Sequence, residues 1–73
     1  MKNYPSITGK KLIKALKKAG FNVIRIKGSH HFLSFDGRST IVPVHSGETI
    51  GIGLLQKILK DCELTKDELF QLL

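Results

Sequence analysis

FNVIRIKGSHHFLSFDGRSTIVPV, residues 21–44, is the stretch whose reading decides the fold. Phe21 to Lys27 is rich in β-branched residues and alternates from Ile24 onward, the pattern of a half-buried strand. Gly28-Ser29 supplies a turn, and Asp36-Gly37 is a hairpin signal because both positions tolerate positive φ. The second strand is expected from about His30 to Asp36 and the third from about Ser39 to Val44, ending near Pro43. Turns this short leave only an antiparallel meander. Alternation sends Ile24 and Ile26 toward the core and leaves Val23, Arg25 and Lys27 on the opposite face.

Upstream, the pattern is helical. Leu12, Ile13, Leu16 and Ala19 recur at helical spacing, while Lys10, Lys11, Lys14, Lys17 and Lys18 fill the other faces. Ser6 or Thr8 can cap this helix, Gly20 stops it, and residues 1–6 read as an irregular lead-in. Downstream, Ser46 to Gly53 carries three glycines and reads as a loop leading into a helix marked by Leu54, Leu55, Ile58 and Leu59. Thr65-Lys66-Asp67-Glu68 fits a capping box. The short helix it opens, about Lys66 to Leu72, should dock through Leu69 and Leu72, with Phe70 beside them. The order α-β-β-β-α with a short extra helix defines an α+β class, its helices covering one face of the sheet.

The 73 residues allow one domain, 1–73, with one modest core. The lone Cys62 cannot form an internal disulfide and fits a reducing cytoplasm as a small buried hydrophobe. No apolar run approaches a membrane span, and no signal-peptide core follows Lys2, so the expected location is cytoplasmic. The net charge of +6 is unevenly placed: residues 1–46 hold nine basic groups against one acid, residues 47–73 three against five. Such a basic part of a small domain is the footprint expected of RNA binding, although a solvated helix face is also often lysine-rich.

The histidines give this basic surface its chemistry, because imidazole both takes and gives a proton near neutral pH. In the middle strand Leu33 and Phe35 share the apolar face with His31, which places His31 at the rim of the core. His30, Phe32 and Ser34 take the other face. In the third strand Val42 and Val44 make a core pair, placing His45 outward with Ile41. His30, His45, Arg25 and Lys27 would then gather on one open face. One imidazole could remove the proton of a ribose 2′-OH, while His45, His31 or Lys27 protonates the departing oxygen. Phe32 could stack a base. A zinc site is not expected: Cys62 is remote and there is no carboxylate cluster.

The order helix, AGF, strand, KGSHHFL, strand, IVPVHSGE, Gly-containing loop, LLQKILKD resembles the HicA family of toxins, from about Ser6 to Leu64. These are mRNA interferases paired with HicB antitoxins. The resemblance implies a double-stranded-RNA-binding-domain-like fold that cleaves RNA with no metal or other cofactor. The family's histidine follows Gly-Ser, here His30 after Gly28 and Ser29. Some members carry it one place later, which makes His31 a second candidate. His45 matches the histidine after Val-Pro. RNA contacts are expected from Lys10, Lys14, Lys17, Arg25, Lys27, Gly28 and Ser29. A HicB-like antitoxin would cover the basic, histidine-bearing surface, the toxin being monomeric alone and hetero-oligomeric with its antitoxin. The family often has proline or lysine where this chain has Ile50-Gly51-Ile52-Gly53. Two other readings use the same charge: a non-catalytic RNA-binding module, and a domain that only binds an acidic protein.

Overall fold

Asp36 and Gly37 take φ of 51° and 79°, the two successive positive values a type I′ hairpin needs. They join β2 (His30–Phe35) to β3 (Arg38–Pro43), and Gly28, at φ 58°, turns β1 (Asn22–Lys27) into β2. In this computed structural model, which describes residues 3–73, the three strands form an open antiparallel sheet in the order β1-β2-β3. Before it comes α1 (Gly9–Lys18); after it come α2 (Ile52–Cys62) and α3 (Lys66–Leu72). The arrangement is the expected α-β-β-β-α with its short last helix. The irregular lead-in is seen from Asn3 onward; Met1 and Lys2 lie outside the described residues.

The helix ends follow their residues. Thr8 caps α1 by accepting from the Lys11 amide at 3.2 Å, and Gly20, at φ 112°, carries the chain out of it. Lys17 and Lys18 occupy the last turn, where cations meet the negative end of the helix dipole. At α3 the capping box forms in both directions: Thr65 N–H donates to Glu68 at 2.8 Å and Glu68 N–H to the Thr65 hydroxyl at 3.0 Å. The helix starts at Ile52 rather than beyond Gly53, because Gly51 serves as its N-cap and Gly53 is already helical.

The core lies between the helices and one sheet face. Leu12 and Leu16 of α1, Phe21, Leu33, Val42, Leu55, Ile58 and Leu69 are fully buried. Cys62 is buried with them, and burial pushes its thiol from 9.0 to about 11, with Asp61 adding to the rise and Arg38 opposing it. The thiol is therefore protonated at neutral pH. Phe35 is partly exposed yet stays on the core side, its ring edge-on to Phe21 at 5.4 Å.

β3 is stitched to α2 by polar contacts. The buried Thr40 hydroxyl donates to Asp61 at 3.0 Å, and Lys57 reaches the same carboxylate at 3.2 Å. Arg38 donates to the Cys62 carbonyl at 3.3 Å and lies over the Phe35 ring. This arginine is occupied by the fold.

Two expectations are corrected. In β1 the register slips between Val23, opposite Leu33, and Arg25, opposite Phe32. Ile24 is thus the extra residue of a β-bulge, and a bulge reverses the alternation on one side of itself. Val23 turns to the helix side and packs on the core, while Ile24 is 66% exposed. Ile26 does fall on the helix side opposite His31, but no helix covers it and it is 59% exposed. In α3, Leu69 is buried and Leu72 packs on the core, whereas Phe70 faces solvent.

The raised thiol pKa gives a signed pH effect. A group whose pKa is higher in the folded state contributes stability that is complete below its unfolded value and is lost as pH climbs through the folded one. Unfolding free energy measured by urea titration should fall between about pH 9 and about pH 11. The fall should be smaller in Cys62→Ala, which removes the titrating group.

Candidate functional site

The three histidines come to one end of the sheet because two hairpin ends are tied there. His30 pairs with Pro43 across β2 and β3, and the Val44 amide donates to the Ser29 carbonyl at 2.7 Å. The Gly-Ser-His-His turn and the Val-Pro-Val-His exit are thereby joined, although about fifteen residues separate them in the chain. The loop that follows Val44 is pinned again at its far end: the Ile50 amide donates to the Ile7 carbonyl at 2.8 Å, and Thr8 and Thr49 form an isolated bridge. His45 stands between these two ties.

Cross-strand partners share a face, so the register assigns each side chain. His30, Phe32, Arg25 and Lys27 share the open face, as expected. There the Arg25 guanidinium lies over the Phe32 ring, 5.7 Å from its centroid. A groove of about 590 Å³ on this side is lined by Ile24, His30, Phe32, Ile41 and Pro43 and reaches Leu54 and Lys57 of α2. His31 lies on the other face, beside the core and half-buried. β3 ends at Pro43, so strand alternation does not carry to His45. His45 is exposed in the loop.

His31 lines a second groove, of about 490 Å³, between α1 and the uncovered end of the sheet. Lys10, Ile13 and Lys17 form its helical wall. Val23 and Ile26 of β1 lie beneath, and Val44 closes it beside the histidine. No lining residue is acidic. The His31 Nδ1 lies 3.4 Å from the Ser29 carbonyl. A carbonyl only accepts, so this long contact can be a hydrogen bond only with Nδ1 as the donor.

The lysines of α1 are all exposed. Lys10, Lys14 and Lys17 recur at one-turn spacing, and two of the three line the groove. The groove's position depends on Gly9. A side chain there would run into the Pro43 carbonyl, so only glycine lets the first turn of α1 rest on the exit of β3. The sequence reading missed Gly9 and the apolar floor. A glycine inside the first turn of a lysine- and leucine-rich helix was the available signal, since glycine is unfavourable there without a close contact. Among the described residues, no group of three or more His, Cys, Asp or Glu side chains lies together. Among them, too, no helix is long and apolar enough to cross a membrane.

Fold and site together define a small basic α+β domain in which His31 lies where a lysine-bearing helix meets the end of an open sheet. Residues 9–64 match the model of the family described as the HicA toxin of bacterial toxin–antitoxin systems, and the chain belongs to that family. It is thus a toxin whose family implies an antitoxin partner. No curated protein matches the chain.

The contact at Gly9 yields a direct expectation. Gly9→Ala forces the helix and the β3 exit apart and should lower stability by about 1–3 kcal/mol, the usual range for overpacking. In a domain of this size that is roughly 4–8 °C in melting temperature per kcal/mol. Circular dichroism melting of the two proteins measures it.

Proposed function

We propose that this toxin cleaves RNA, as an mRNA interferase, by metal-independent acid–base chemistry in the groove that holds His31. The observation that carries the reading is the half-buried imidazole with an acceptor on Nδ1 and lysines beside it. A general base must offer a lone pair in a fixed direction, and the Ser29 carbonyl supports that for Nε2. Among the described residues, His30 makes no side-chain hydrogen bond on the open face. Family resemblance allows the histidine at either place, and the groove favours the second.

In this mechanism His31 Nε2 takes the proton from a ribose 2′-OH, and the oxygen attacks the adjacent phosphorus. The P–O5′ bond breaks, leaving a 2′,3′-cyclic phosphate on one product. His45, one residue beyond Val44 at the groove's edge, gives a proton to the departing 5′ oxygen. The ammonium groups of Lys10 and Lys17 stabilise the charge that grows on the phosphoryl oxygens. Lys14 continues the cationic row along α1. Gly28 and Ser29 act through the turn that holds the imidazole, and Arg25 and Lys27 add long-range attraction for the polyanion. The antitoxin is of the HicB type and answers this cationic surface with carboxylates, forming a hetero-oligomer that leaves the free toxin monomeric. The alternative, an RNA-binding module without chemistry, uses the same lysines but gives the orientation of His31 no task.

Incubation with RNA in the presence of a chelator separates the readings. The expected result is cleavage to fragments with 5′-hydroxyl ends, a loss of about 10²–10⁴-fold in rate for His31→Ala, and cleavage retained in His30→Ala. Intact RNA would leave the binding module standing. Cleavage lost in His30→Ala but kept in His31→Ala would move the chemistry to the open face. Binding of the inactive His31→Ala protein should also weaken with salt, and Lys10→Gln should lower the slope of log K against log [salt] by about one.

A further inference from the structure

β1 and β3 are the two edges of the sheet, and they are built differently. β1 is interrupted by the bulge at Ile24 and carries Arg25 and Lys27, the devices that keep an edge strand from pairing with foreign chains. β3 runs in unbroken register with β2 from Arg38 to Pro43. Between those ends it holds only Ser39, Thr40, Ile41 and Val42. The Val44 amide bonds the Ser29 carbonyl opposite it, and bonded pairs alternate along an antiparallel ladder. Thr40 and Val42 therefore bond β2, whereas the amides and carbonyls of Ser39 and Ile41 point out from the sheet. Among the described residues, no other strand answers them.

A groove of about 590 Å³ follows this bare edge. Thr40, Ile41 and Pro43 form its floor, and Leu54, Lys57 and Asp61 of α2 form a wall. Ile41 and Leu54 are both exposed, so they belong to the surface and not to the core. An edge strand beside an open groove accepts an extended peptide as an added strand, main chain giving affinity and side chains giving selection. RNA fits this edge poorly. The one lysine in the lining is held by Asp61 at 3.2 Å, and that carboxylate would repel phosphate. A second copy of the chain fits poorly too, because each carries a charge of +6 and two would repel. An acidic protein meets neither obstacle, and membership of a toxin–antitoxin family supplies a protein partner.

We propose that the antitoxin anchors on this chain by adding a strand to the outer edge of β3, with one of its apolar side chains seated between Ile41 and Leu54. The added backbone lies about 5 Å from β3 and bonds the amides of Ser39 and Ile41. The inference rests on the family for the existence of the partner and not on the catalytic reading of His31. The groove of His31 opens beside β1, at the other edge of the sheet. Attachment of the antitoxin and blockage of the chemistry are thus separate events.

Amide hydrogen exchange, resolved by NMR, tests this on the free chain and on its complex with the antitoxin. The Ser39 and Ile41 amides should slow at least about tenfold in the complex, far more than those of Thr40 and Val42, which are already bonded within the sheet. Ser39→Pro removes one outward N–H at an edge, where proline is tolerated, and should weaken antitoxin binding about tenfold. Ser39→Ala keeps the N–H and should bind as the wild type does. Leu54→Ser leaves the backbone intact and should weaken binding several-fold, which keeps the test decisive if the proline variant melts early. A bound antitoxin that leaves the Ser39 and Ile41 amides unprotected would overturn the inference, as would a folded Ser39→Pro protein that binds undiminished. Protection of the same amides by self-association of the free chain, or by RNA, would assign the edge to that partner instead and overturn it equally. The catalytic reading fails separately: Ser39→Pro should cut RNA at the wild-type rate while needing more antitoxin for inhibition. A chain that leaves RNA intact but gains the two protected amides overturns only the catalytic reading. An antitoxin that does not bind at all overturns only the present inference and the expected partner.

Discussion

One backbone carbonyl, that of Ser29, holds the histidine-bearing end of this protein together. It accepts from the Val44 amide at 2.7 Å and faces His31 Nδ1 at 3.4 Å. A carbonyl has two lone pairs, so it can serve both donors. The first contact ties the exit of the third strand to the turn between the first two. The second brings the His31 ring against the same oxygen. The positive φ of Gly28 produces the turn that presents this oxygen, and a side chain with a Cβ would make that conformation costly. Two short motifs far apart in the chain therefore work as one piece of structure.

Around that tie, the sheet separates two kinds of surface. The helix side carries His31 against lysines and a partly uncovered apolar floor. The open side carries His30 and Phe32 with Arg25 and Lys27, and an apolar fringe of Ile24 and Ile41. Adjacent histidines thus differ completely in surroundings, which follows from the two-residue period of a strand. Charge is divided as well. Lys17 and Lys18 favour the end of their helix and have a local reason to be there. Lys10 and Lys14 lie on the exposed face of the same helix, away from that end. Arg38 counts toward the basic half of the sequence yet is used by the fold at Cys62, Asp36 and Phe35.

Much of the architecture was legible in the residues themselves. Asp36-Gly37 and Gly28-Ser29 announced the meander, Thr65 and Glu68 announced the last helix, and the alternation of Leu33 with His31 put the two histidines on opposite faces. The failures have physical causes. Ile24-Arg25-Ile26 reads as regular alternation, and no residue type declares the extra unpaired position that makes Ile24 a bulge; the register depends on the partner strand. Gly51 and Gly53 read as loop because glycine disfavours helix by about 1 kcal/mol. The burial of Leu55, Ile58 and Leu59 outweighs that cost. The groove could not be read at all from local pattern. It exists because Gly9 lets a helix rest on Pro43, and because the Ile7–Ile50 and Thr8–Thr49 pairings fix the loop that carries His45.

The protonation pattern of the His31 ring is the most direct measure of this account. Two-bond ¹H–¹⁵N correlations on uniformly labelled protein, recorded where the ring is neutral, distinguish the two imidazole tautomers. The account requires the proton on Nδ1, held by the Ser29 carbonyl, with Nε2 bare and facing the groove. A His31 ring protonated on Nε2, or one averaging between the two forms as a solvent-exposed histidine does, would contradict it.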